Sequence, residues 1–102
     1  YYALRVARQS GGGARTVTDE EAIAGVKLLA QTEGIFAEAA GGVVVGALRK
    51  LAASEVIKRD EITVAFITGA GPRTQDILSD TVQPLTIQPT LASLEAALSM
   101  TP

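Results

Sequence analysis

The residues best suited to chemistry lie in VAFITGAGPRT, residues 64–74, where an apolar run stops at Thr68 and breaks into Gly69-Ala70-Gly71-Pro72. A hydroxyl at the end of a buried strand, followed by two glycines, suits two purposes. It can close a tight turn, because glycine adopts conformations closed to other residues. It can also let backbone and hydroxyl approach a ligand. Spacing leaves both open, since the stretch is neither GxGxxG nor GxxxxGK[ST]. A second candidate is Glu38 in EGIFAEAAGG, either a helix-entry cap or salt-bridge partner, or a carboxylate that faces a ligand. A third group, Asp19-Glu20-Glu21, has the composition of a metal site. Adjacent carboxylates on a helix point in different directions, however, and helix capping already accounts for them. Histidine and cysteine are both absent, which removes the commonest general base, the commonest metal ligand, thiolate chemistry and disulfides.

The elements that must position these groups read as alternating helix and strand. YYALRVARQ has weak helical spacing and ends in SGGG, a loop by composition. Thr18 followed by Glu21 is a capping-box signature, opening a helix over about 19–32 that carries Ile23, Val26, Lys27 and Ala30 on one face. Gly34 is placed to end it as a left-handed cap. IFAE is a short extended segment, and 39–53 a second helix whose first half, AAGGVVVGAL, is apolar all round. That pattern predicts burial on every side, with Arg49 and Lys50 marking its emergence into water. Gly41, Gly42 and Gly46 would allow close backbone approach. VIKRDE turns into ITVAFI, 62–67, a continuously apolar strand of the kind covered on both faces in a parallel sheet. Thr68 then lies at the carboxyl end of that strand, where open parallel sheets bind ligands. TVQPLTIQPTL reads as an extended crossing segment, with Thr90 capping a short helix over 93–98.

The 102 residues suit one small domain, and 47% apolar with 20% charged residues is ordinary globular composition. A net charge of −2 gives no electrostatic reason to expect a nucleic acid or a membrane surface as partner. No apolar run approaches the roughly 18 residues of a membrane span, and no signal-peptide pattern opens the chain. The start at YYALRVARQ, without an initiator Met, suggests a fragment or a processed piece.

Three blocks together resemble the C-terminal part of threonine synthases, pyridoxal-phosphate enzymes of the tryptophan-synthase β-like fold (fold type II). These are the TDEE helix start, EGIF-E-AAGG leading into an apolar helix, and a strand running into TGAGPRT. Their order and spacing carry the resemblance, which spans about residues 1–90; EGI alone is shared by dehydratases and cysteine synthases of that fold. It implies an α/β fold, the C-terminal part of a parallel-sheet enzyme and incomplete on its own. Residues 1–85 would belong to the catalytic fold and 86–102 to an extended segment with a short helix. It further implies conversion of O-phospho-L-homoserine and water to L-threonine and phosphate, in the cytoplasm. The matching residue for a hydroxyl that meets the cofactor's ring nitrogen is Thr68. Gly69 and Gly71 let the turn pass close to the ring, and Glu38 matches a motif carboxylate near the cofactor.

Four departures stand out: Ala39 replaces the proline of EPAGG, and Ala70, Pro72 and Arg73 replace Asn, Leu and Lys of the family's TGNGLKT. They bear on fine positioning more than on cofactor identity. The family's SFK-type Schiff-base lysine and its phosphate loop have no counterpart, because Lys27, Lys50 and Lys58 are flanked differently. No catalytic residue and no metal ligand is therefore assigned, and this chain alone is expected to be inactive, its partners being the remaining catalytic chain and a small-molecule substrate. The alternatives are a related fold type II lyase, such as a threonine dehydratase, or a free-standing non-catalytic remnant. An isolated half-sheet would expose an unpaired edge and apolar faces, so self-association is also expected.

Overall fold

A computed structural model describes residues 1–79 and 84–99. Among the described residues four α-helices follow one another: α1 (Tyr2–Gln9), α2 (Asp19–Glu33), α3 (Ala39–Ala53) and α4 (Leu91–Ser99), with a 3-10 segment at Gly71–Leu78 between the last two.

Helix α2 starts where its capping box predicts. The Thr18 hydroxyl accepts from the Glu21 N–H at 3.3 Å, and the Glu21 carboxylate accepts from the Thr18 N–H at 2.8 Å. It ends at Gly34, whose φ of 68° is the left-handed cap. Helix α3 ends in a Schellman turn. The Val56 N–H reaches the Leu51 carbonyl at 3.0 Å and the Glu55 N–H reaches that of Ala52 at 3.1 Å. Glu55 occupies the left-handed position, at φ 56°, where glycine is the usual residue.

Helices α2 and α3 pack on each other through small residues. A Cβ on Gly25 would collide with the Gly42 carbonyl oxygen, and one on Gly42 would collide with that of Ala22. The two backbones therefore nearly touch, and Val26, fully buried, fills the space beside the crossing. Lys50 clamps the pair. Its ammonium lies 2.7 Å from the Glu21 carboxylate and donates to the Thr16 carbonyl at 2.9 Å. Lys50 thus turns onto α2 rather than marking an exit into water, whereas Arg49 is exposed.

Two expectations fail. Helix α3 is not buried all round: Gly42 and Gly46 are buried against α2 and its approach and Gly41 beneath Ala37 and Ile67, but Ala40 and Val43 are exposed. Nor is 62–67 a strand, and no parallel sheet forms among the described residues; the isolated bridge there is the antiparallel Ala37–Ala70 pair. The cause is common to both. A ladder needs a second backbone, and an all-round apolar helix needs a second layer. Ile62, Val64 and Phe66 accordingly stand 96%, 72% and 77% exposed. The Cα radius of gyration of 18.1 Å exceeds the roughly 13 Å of a compact chain this long. Of the expected crossing segment, 81–83 lies outside the described residues, while 84–88 has no regular structure. Helix α4 forms as expected, with the Thr90 hydroxyl accepting from the Ser93 N–H at 3.3 Å.

Candidate functional site

The two stretches singled out by their chemistry meet in space. Residues 36–38, entering α3, run antiparallel to 69–71. The Glu38 N–H donates to the Gly69 carbonyl at 3.0 Å, and the Gly71 N–H donates to the Phe36 carbonyl at 2.9 Å. Both glycines are required by the approach: a Cβ on Gly69 would strike the Glu38 carboxylate, and one on Gly71 would strike the Phe36 ring. Ile67 packs over the first turn of α3 against Gly41. Among the four candidate residues, Glu38 and Gly69 are thus in contact, Gly71 sits under Phe36, and Thr68 adjoins Gly69 at the rim.

Thr68, Gly69 and Ala70, together with Ile35, Phe36 and Ile67, line a shallow hollow of about 360 Å³. The Thr68 side chain is exposed, and its hydroxyl makes no hydrogen bond among the described residues. Glu38 does not line this hollow. Its carboxylate, 18% exposed, lies against Gly69, with the Arg73 guanidinium 3.6 Å away. That separation is an ion pair but too long for a hydrogen bond. With Arg73 75% exposed, water screens most of the attraction. Lys27, Lys50 and Lys58 do not line the hollow either.

Thr74 was not foreseen as part of the site. Its hydroxyl accepts from the Ala39 N–H at 3.0 Å, closing the first turn of α3 from 35 residues away. The only sequence signal was its place at the end of the TGAGPRT block, because a cap from a distant segment has no local spacing rule.

The pattern of the family described as pyridoxal-phosphate dependent enzyme matches residues 1–69, which takes in the helix pair, the entry to α3 and Thr68 itself. The chain belongs to the pyridoxal-phosphate dependent enzyme family. Within it, the chain is 41% identical over 81 residues to the threonine synthase of Halalkalibacterium halodurans, covering 79% of this chain and 23% of that protein. It is 51% identical over 67 residues to the threonine synthase of Methanosarcina acetivorans, covering 66% of this chain and 16% of the relative. The Methanocaldococcus jannaschii threonine synthase is 45% identical over 74 residues, 72% of this chain and 18% of its own length. The chain therefore spans less than a quarter of each of these relatives. No helix among the described residues is long and apolar enough to cross a membrane.

Proposed function

We propose that this chain is the segment of a threonine synthase that presents a hydroxyl to the ring nitrogen of pyridoxal phosphate. The reaction so served converts O-phospho-L-homoserine and water to L-threonine and phosphate. The observation that carries this reading is the free Thr68 hydroxyl at the rim of an apolar hollow, on a turn held against α3 by its own backbone. The residues fit the group chemically. A neutral hydroxyl suits an unprotonated pyridine nitrogen, and the exposed faces of Ile35 and Phe36 suit a flat ring.

In the bound state the cofactor supplies the electron sink for carbanion chemistry. The chain's own part is orientation. Thr68 Oγ1 would hold its proton and offer it as a hydrogen-bond donor to an unprotonated ring nitrogen. Ile35, Phe36 and Ile67 would give that bond an apolar surround on the protein side. Glu38 supports Gly69 from beneath, and Gly71 lets Phe36 lie flat over the turn.

The rest of the assignment follows from the same reading. Residues 1–85 belong to the catalytic fold and 86–102 to an appended segment, in a cytoplasmic enzyme. The apolar run 62–67 becomes a strand when the remaining parallel sheet of fold type II pairs with it, and uncovered faces lead the isolated chain to self-associate. A related lyase, such as a threonine dehydratase, is disfavoured because the three relatives above are all named threonine synthase. Phosphate release from O-phosphohomoserine by the full-length protein tests the proposal. Turnover with this substrate is expected, and deamination of threonine in its place would refute it.

A further inference from the structure

Helix α3 opens without help from the side chain at its own cap position. Glu38 sits at the N-cap with extended backbone, φ −69° and ψ 172°, yet makes no side-chain capping hydrogen bond. The first backbone donors of a helix have no partner within it and need one from elsewhere. Here the Ala39 N–H is taken by the Thr74 hydroxyl. The 3-10 segment breaks at this residue, with φ −140° and ψ 47°, and that break gives Thr74 a backbone course different from its helical neighbours. Thr74 is half-buried, unlike the neighbouring Arg73.

We infer that Thr74 is a positioning residue for Thr68: its hydroxyl staples the far end of the TGAGPRT turn to α3. The turn is then held at three points along its length. Gly69 and Gly71 pair with Glu38 and Phe36 in the middle, and Thr74 pairs with Ala39 beyond them. Thr68 stands immediately before the first of these points, so its hydroxyl inherits the rigidity of the clip. Because Thr74 relieves Glu38 of capping, the Glu38 carboxylate is left to lie against Gly69. The long, exposed Arg73–Glu38 ion pair is a minor contributor beside the hydroxyl. The role rests on the reading of Thr68 as the cofactor's partner.

Three variants of the full-length protein test it: Thr74→Val, which keeps the shape and removes the hydroxyl, Thr74→Ser, which keeps the hydroxyl, and Thr68→Ala as comparator. Three quantities are read: amide deuterium exchange over 36–42 and 69–71 without added cofactor, the affinity for pyridoxal phosphate, and the absorbance of the bound cofactor. Thr74→Val should speed exchange at the Ala39 amide and its clip neighbours, and weaken cofactor binding, each by about tenfold, the equivalent of one lost hydrogen bond. It should also shift the bound cofactor's absorbance in the same direction as Thr68→Ala, and Thr74→Ser should restore all three. Wild-type exchange and absorbance in Thr74→Val would overturn the inference. So would a harmless Val with a damaging Ser, which would mean that the methyl group packs and the hydroxyl is idle. The two readings fail separately: a Thr68→Ala protein with unchanged cofactor affinity and absorbance defeats the assignment of Thr68, whereas the exchange rates judge the clip.

Discussion

The α2–α3 pair and the 62–70 stretch have similar apolar content but opposite fates. The helix pair finds its partner within the chain: glycine faces glycine, Val26 is sealed, and Glu21 and Lys50 close the edge. The 62–67 run finds none among the described residues and stands exposed up to the point where Ile67 touches α3. Composition alone does not make a core. What differs is whether the complementary surface lies nearby in the same chain, and the candidate site falls on the border between the two regions. Thr68 has one foot on the packed clip and its hydroxyl on the open side.

Filling the helix crossing should produce the largest effect. Gly42→Val would force a side chain into the Ala22 carbonyl and Val26, destabilising the pair by about 3 kcal/mol, read as lost cooperativity in a far-UV thermal melt. The same change should alter the exposed 62–66 stretch little, which exchange rates resolve. Next is Thr18→Ala. Loss of the hydroxyl that caps α2 should cost about 1 kcal/mol and raise amide exchange in the first turn of that helix.

Acid should act in the same place. The hydrogen bond from Lys50 and then the Thr18 N–H hold the Glu21 carboxyl below its ordinary value of 4.5. A depressed folded-state value means the contribution is full above about 4.5 and is lost as pH falls through the lower folded value. The helix pair should therefore loosen below pH 4.5 while 62–66, with no such contact, does not respond; chemical shifts followed across pH 6 to 2 check this. Glu55→Gly should stabilise α3 by about 1 kcal/mol, because it removes a side chain from a left-handed position; a urea midpoint moved upward is the expected result. Arg73→Ala is the smallest case, below about 0.5 kcal/mol in the same titration.

Much of the packed region was legible in the sequence because its signals are local. The capping box at Thr18 and Glu21, the left-handed Gly34, the bounds of α3 and the Thr90 start of α4 each depend on residues within one helical turn. The glycines of α3 announced a close approach, though not that Gly25 would meet Gly42. What escaped depends on distance along the chain. The apolar pattern of 62–67 describes a strand's environment, but a ladder is a property of two segments. All-round apolarity in α3 signals surfaces to be covered and names no covering partner. Lys50 reading back to Thr16, and Thr74 reaching Ala39, are contacts across 34 and 35 residues with no spacing rule to reveal them. At the site, the residue types of Thr68, Gly69, Gly71 and Glu38 were readable, but the support of Gly69 by Glu38 required the fold.

Contact between the Thr68 hydroxyl and the ring nitrogen of pyridoxal phosphate is tested by a cofactor absorbance titration of the full-length protein beside its Thr68→Ala variant. That contact predicts a saturable cofactor band in the wild type, and in the variant a shifted band with about tenfold weaker binding, the scale of one hydrogen bond. Superimposable titrations in the two proteins would contradict it.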